Sequence, residues 1–381
     1  MKRTIAALLA ATALAAPALA APLKVGMITT LSGGGAGLGI DVRDGFLLAL
    51  KQAGDAAAEI TVVTEDDQQK PEIGVQIADK MIQSDDVDLL TGIIFSNIAL
   101  AVVPAAVKQG KFYLSANAGP SQLAGKGCDP NYFNVAYQND NQHEAAGEYS
   151  NTLGYQKTFI LAPNYPAGKD SLNGFKRFYK GEVAGELYTK LGQTDFAAEV
   201  AQIKASGADS VFFFLPGGMG ISFIKQFTGS ETGLPMIGPG FSFDQDVLGA
   251  VGEAALGAYN TAQWSPDLDN AANEAFVEAF TAEYGRLPSV YASQGYDTAQ
   301  LILSAQAKAD VADHDTYHAA LKAADFPSVR GSFEFGNNQH PIQTFYAREV
   351  IKRDDGVITN KVVGTAFENH VDAFAAECPM P

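Results

Sequence analysis

Short continuous apolar runs alternate with longer amphipathic stretches along most of the chain. Residues 24–29 read as a buried strand, and a glycine-rich turn at 33–37 leads into helical spacing over 41–52. Strands at 59–64, 89–94 and 112–115, with helices at 71–84 and 99–109 between them, complete a first series. The rhythm restarts beyond Tyr137 with helix 141–153, strand 158–162, helix 169–179 and strand 185–191. Helix 196–205, strand 210–215, helix 219–228 and strand 235–237 continue it. Runs that are apolar on both faces, separated by amphipathic helices, mark parallel strands covered by helices on both sides. The expected fold class is α/β, with two Rossmann-like, doubly wound parallel-sheet lobes in tandem.

The last third breaks the rhythm. Helices are expected over 270–284, 292–308 and 315–323, after a turn at Trp264-Ser265-Pro266, with strands over 332–335 and 343–353. These pieces are too few for a core of their own, so they must complete the two units already formed.

Charge narrows the partners. Lys+Arg 26 against Asp+Glu 43 leaves −17, with no basic block to offset it. Such a surface repels phosphate backbones and anionic bilayers, so neither nucleic acid nor membrane is an expected partner. Lys2 and Arg3, an apolar run over 5–16 and Ala18-Leu19-Ala20 have the layout of a secretory signal, with cleavage expected after Ala20. That run is too short to span a bilayer. The two cysteines, Cys128 and Cys378, are too few for a metal centre. In an exported chain they are expected to pair, the alternative being two separate buried thiols.

A search for chemistry returns little. The glycine turn at 33–39 contains no G-x-G-x-x-G and no Walker lysine, and no G-x-S-x-G elbow occurs anywhere. His314 and His318 stand four apart on an expected exposed helix, but without an H-E-x-x-H frame. Glu65, Asp66 and Asp67 cluster at a strand end, where they either do acid–base work or cap the next helix. The second glycine cluster, Gly217-Gly218-Met219-Gly220, follows a strand and opens a helix. It serves either close backbone packing or backbone N–H contact with a polar ligand. No nucleophile, base and oxyanion donors assemble, so no enzyme, metal or cofactor is expected.

The run Lys24-Val25-Gly26-Met27-Ile28-Thr29-Thr30-Leu31-Ser32-Gly33, with Asp41-Val42-Arg43-Asp44-Gly45, resembles the opening of leucine/isoleucine/valine-type periplasmic binding proteins. Thr91-Gly92, Phe95-Ser96-Asn97, Ala162-Pro163-Asn164-Tyr165, Ile237-Gly238-Pro239 and Tyr291-Ala292-Ser293-Gln294-Gly295-Tyr296-Asp297 carry the likeness along the chain. The resemblance implies a type I two-lobed, periplasmic solute-binding protein that serves an ABC importer permease, expected here as a monomer. It also implies three crossovers, expected near 136–139, 261–265 and 338–342. The lobes would then be 22–138 with 264–340, and 139–263 with 341–375, behind a signal peptide at 1–20.

The same resemblance assigns site residues. Ser96, at a helix start, corresponds to the serine that takes the substrate carboxylate in amino-acid binders, and Ser115 to a strand-end serine. The small residue and threonine that follow in the family fall on Ala118 and Gly119, and the glutamate that neutralises the ammonium falls on Gly240. Both ammonium partners are therefore missing, and a buried ammonium without acceptors is costly. A lidding aromatic appears as Leu38 and a tyrosine as Ala167, which leaves room for a ring. The block Ser115-Ala116-Asn117-Ala118-Gly119-Pro120-Ser121 is similar to the branch associated with benzoate-type acids.

The expected ligand is a small aromatic monocarboxylate. Its carboxylate would meet Ser96, Asn97 and backbone N–H groups near Ala118, and its ring would lie among Leu38, Tyr165 and Phe241. Asn117, Gly217 and Gly240 complete the expected ligand-binding set. A branched-chain amino acid or small amide is the alternative ligand, and a ligand-sensing subunit the alternative role.

Overall fold

A computed structural model describes residues 22–380; the expected signal segment and its cleavage site lie outside the described residues. The first unit contains β1 (Leu23–Thr29), α1 (Ala36–Ala53), β2 (Ile60–Asp66), α2 (Pro71–Gln83) and β3 (Leu89–Thr91). It continues through α3 (Ser96–Lys108), β4 (Phe112–Ser115), the single turn α4 (Ser121–Ala124) and β5 (Tyr132–Asn134). The five strands are all parallel, in the order β2-β1-β3-β4-β5.

The second unit holds α5 (Asp140–Thr152), β6 (Lys157–Pro163), α6 (Pro166–Phe178), β7 (Glu182–Thr189) and α7 (Ala197–Ala205). β8 (Ser210–Phe213), α8 (Gly218–Gly229), β9 (Met236–Pro239), α9 (Gln245–Val251) and β10 (Tyr259–Ala262) follow. Its parallel strands run β7-β6-β8-β9-β10, which repeats the order of the first sheet. The two units are thus topological copies, each with a reversal of strand order beside its first strand.

The remaining elements are α10 (Ala271–Tyr284), α11 (Val290–Gln306), α12 (His314–Lys322), β11 (Glu334–Phe335), β12 (Pro341–Lys352) and β13 (Ile358–His370). α11 packs along α1 on the first unit. β12 pairs first with β11, then antiparallel with β10 and β13 on the edge of the second sheet. The late elements therefore complete both units, as their small number required. Two apolar cores result, one of them confined to the second sheet around Phe213, Phe223 and Val247. Among the described residues no helix is long and apolar enough to cross a membrane.

The passages between the units are held by buried polar groups. Arg330 is fully buried; it pairs with Asp297 of α11 at 2.9 Å and donates to the carbonyls of Val135 and Ala136 at 2.7 and 2.9 Å. It also reaches Gln343 Oε1 at 3.0 Å, so one guanidinium ties the first and last passages to the same helix. Cys128 and Cys378 form a disulfide with 5.7 Å between Cα atoms, across 250 residues of chain. The tail beyond β13 thereby returns to the first unit, where Asn337 Nδ2 donates to the Ala375 carbonyl at 2.9 Å.

Several expectations are corrected. α1 begins at Ala36, because the glycine-rich segment forms a tight helical turn instead of a loop. α4, β5, α9, β10 and β13 did not register in the pattern. The α12 face is not free: His314 stacks on Phe112 with ring centroids 4.4 Å apart, and His318 Nε2 lies 2.8 Å from Gln339 Oε1. The acidic cluster is structural. Asp66 accepts from the backbone N–H of Leu31 and Gln68, while Asp67 accepts from Thr30 Oγ1 and Gln69 N–H.

Candidate functional site

In open α/β sheets, ligand sites form beyond the carboxyl ends of the strands, where strand order reverses. Both sheets present those ends to one cleft. From the first unit come Leu38 in the opening turn of α1, Phe95 and Ser96 at the start of α3, and Asn117 after β4. From the second come Tyr165 and Ala167 at the start of α6, Phe214 and Pro216 after β8, and Phe241 after β9. Tyr137, on the first passage, and Tyr291, in the first turn of α11, close the ring. These residues line a narrow cleft between the units whose free volume is only about 10 Å³, so a ligand must part its walls.

The walls are aromatic. Tyr165 lies 6.3 Å from both Phe95 and Phe214 by ring centroid, and Phe241 lies 5.0 Å from Tyr137 and 5.3 Å from Tyr291. Burial pushes the phenols of Tyr137, Tyr165 and Tyr291 far above their ordinary pKa, so all three remain neutral. No carboxylate, lysine, arginine or histidine belongs to the described lining. Polar character is concentrated where Ser96 and Asn117 meet. Asn117 Nδ2 donates to the Ile94 carbonyl at 2.9 Å, and its Oδ1 is 3.5 Å from the Tyr137 hydroxyl. Ser96 is the first residue of α3, whose leading N–H groups have no intrahelical acceptor and carry the positive end of the helix dipole.

Leu38, Ser96, Asn117, Tyr165 and Phe241, five of the expected ligand-binding set, thus stand together in one lining. Asn97 sits one position along the helix and outside the lining. Ala118 and Gly119 stand behind Asn117 with their amides already used: Ala118 N–H donates to the Ile93 carbonyl at 3.2 Å and Gly119 N–H to Asn139 Oδ1 at 3.1 Å. Those N–H groups therefore have nothing to offer a carboxylate. Gly240 N–H likewise donates to Gln142 Oε1 at 3.0 Å, and a β-carbon there would lie 2.7 Å from Arg348 Nη2.

Gly217 has φ +58°, and a β-carbon on it would lie 2.8 Å from the Gly34 carbonyl oxygen. The two glycine clusters therefore pack backbone to backbone across the mouth of the cleft. The sequence reading missed Ile94, Phe95, Tyr137, Tyr291, Phe214 and Pro216 as lining residues. The last two follow the apolar strand directly, so the strand-end rule alone would have found them.

Residues 22–356 match the periplasmic binding protein family. The Leu/Ile/Val-binding protein homolog 6 of Brucella melitensis is 30% identical over 368 residues, covering 92% of this chain and 93% of its own. Among solved structures, an ABC-transporter solute-binding protein from R. palustris, in complex with benzoate, is 33% identical with a TM-score of 0.89. The match spans 94% of this chain and 100% of that one. Another solute-binding protein, from Rhodopseudomonas palustris BisB5 in complex with 3,4-dihydroxybenzoic acid, is 29% identical with a TM-score of 0.84, over 92% and 99% of the two chains. Across most of its length, and in both lobes of its α/β fold, the chain belongs to the periplasmic binding protein family.

Proposed function

We propose that this chain captures a small aromatic monocarboxylate, of the benzoate or hydroxybenzoate kind, between its lobes and hands it to the permease of an ABC importer. The observation that carries the reading is the cleft itself: aromatic walls, a helix N-terminus with a serine hydroxyl at one end, and no charged side chain in the described lining. The carboxylate would lie against Ser96 and the leading amides of α3, where a helix favours an anion. The ring would fill the space among Leu38, Tyr165, Phe214 and Phe241, and the neutral phenols of Tyr137 and Tyr291 would serve ring hydroxyls. The solved relatives that hold benzoate and 3,4-dihydroxybenzoic acid support this choice. The protein would act as an exported, periplasmic monomer whose lobes, 22–138 with 264–340 and 139–263 with 341–375, close on the ligand about the buried passages. Binding without turnover is its expected activity.

The names of the Brucella relatives favour a second reading, a branched-chain amino acid. An α-ammonium in this cleft would find no carboxylate, and burying it unpaired costs several kcal/mol. A calorimetric or thermal-shift panel of benzoate, 4-hydroxybenzoate, leucine and acetamide separates the readings. A ligand at 100 times its Kd stabilises the fold by about 2.7 kcal/mol. That shift is expected with a benzoate. Its appearance with leucine and not with either benzoate overturns the proposal.

A further inference from the structure

Asn139 lies two residues beyond Tyr137 on the first passage between the lobes, and it is buried. Its backbone N–H donates to the Gly119 carbonyl at 2.8 Å, and its side-chain Oδ1 accepts from the Gly119 N–H at 3.1 Å. A backbone N–H can only donate, so this contact fixes which end of the amide is oxygen. Nδ2 must then face the other way. There it donates to Ser96 Oγ at 3.1 Å and to Asp170 Oδ2 at 2.9 Å. Asp170 belongs to α6 on the opposite lobe and is itself held by Ser121, whose N–H and Oγ donate to it at 3.1 and 2.8 Å.

The consequence falls on Ser96. A hydroxyl that accepts from an amide still has one hydrogen to donate. Among the described residues, Ser96 Oγ donates to no protein acceptor, and Ser96 is one of the residues that line the cleft. Its O–H is thereby left for whatever the cleft holds. Both oxygens of a carboxylate accept, so one can take that hydrogen while the other faces the leading N–H groups of α3; a carboxamide has one oxygen, and its N–H2 then meets a donor at the other place.

We propose that Asn139 is a positioning residue that fixes the Ser96 hydroxyl as a donor into the cleft and so selects a carboxylate over a carboxamide at that end of the ligand. The inference rests on the reading of the cleft as a site for an aromatic carboxylate. It adds that the selectivity is set by a residue outside the lining, at the point where the two lobes join.

The test uses whichever of benzoate and 4-hydroxybenzoate binds the wild-type protein, paired with its own carboxamide, in calorimetric titrations. Asn139→Leu keeps most of the bulk but removes the donor to Ser96 without adding charge beside Asp170 or the ligand, so the hydroxyl hydrogen is no longer held toward the cleft. Carboxylate affinity is expected to fall roughly 10- to 100-fold, the range for a hydrogen bond to a charged group, and carboxamide affinity to fall far less. Equal loss of both ligands means that Asn139 only supports the fold, and it overturns the inference while leaving the carboxylate reading standing. Should Asn139→Leu fail to fold, Asn139→Ala, Ser96→Ala and the double variant form a second test. Once Ser96→Ala is present, Asn139→Ala is expected to cost the carboxylate nothing more; independent, additive losses overturn the proposal. If the wild-type protein binds neither benzoate, the carboxylate reading and this inference fall together.

Discussion

A β-carbon on Gly119 would lie 2.1 Å from the Tyr137 carbonyl oxygen and 2.4 Å from Asn134 Nδ2. The backbone at 119 is thus pressed against the passage that carries Tyr137 and Asn139, and only glycine fits. Gly119→Ala is expected to destabilise the fold by about 1–3 kcal/mol, the usual cost of overpacking, as read by urea unfolding. Ser96→Ala separates packing from binding. It should weaken a bound benzoate by roughly 1.5–3 kcal/mol in calorimetry while leaving the unfolding midpoint nearly unchanged. An unchanged benzoate affinity would remove Ser96 from the site. At this scale the sequence named Ser96 through its resemblance to amino-acid binders, and the structure sets it with Phe241 in one lining. The sequence was silent on Tyr137 and Tyr291, which stand far apart in the chain and meet only through tertiary packing. It also misjudged the amides of Ala118 and Gly119, because hydrogen-bond partners are set by neighbours from other segments.

Asp244 is the cap of α9, accepting from Gln245 N–H at 3.0 Å. The same carboxyl group accepts from Val290 N–H at 3.1 Å, at the start of α11 in the first lobe. One side chain therefore serves two helix starts that belong to different lobes. Asp244→Ala is expected to lower global stability by about 1 kcal/mol, as loss of one cap does, and to weaken benzoate binding as well, because α11 loses its partner in the closed form. Unfolding curves and titrations measured on the same variant distinguish the two effects, and an unaltered Kd would show that the contact across the cleft contributes nothing to closure. α9 escaped the sequence reading because a seven-residue helix carries too little periodicity to register. β13 escaped for another reason. Beyond the buried polar pair Thr359 and Asn360 its residues run between half-buried and exposed, with Gly364 in the middle, so no apolar run marks it. The turn Asp354-Asp355-Gly356 carries an Asp-Gly hairpin signal for a returning strand, and the pattern of apolar runs passed over it. The long parallel strands were legible because burial on both faces leaves a continuous apolar run.

Carboxyl groups from both units gather beside the cleft. Arg286 Nη2 bridges Asp41 and Asp44 at 2.7 Å each on the first lobe, while Asp246 of α9 places Oδ2 3.1 Å from where a β-carbon on Gly37 would lie. Burial is the largest influence on Asp41 and Asp244, raising them to about 7 and about 8; burial raises Asp246 as well. Opening the cleft would hydrate these groups and let each return toward 3.8, the ordinary value. Between that value and about 8 the closed form then holds more protons than the open one. By linkage, ligand binding takes up protons in this window, and affinity rises as pH falls from 8 toward 5. The same groups contribute to folding with the same sign, so their share of stability falls as pH rises through the window. His143 acts oppositely: burial lowers it to about 3, and its contribution is lost as pH falls below about 6.5. It packs on Phe212 and Phe214 within the second lobe, so closure leaves it alone and it does not enter the binding balance. Benzoate titrations at pH 7 in two buffers of different ionisation enthalpy read the net proton count directly. Uptake is expected, and a count of zero, or a release, would mean that these carboxyl groups are as buried in the open form as in the closed one.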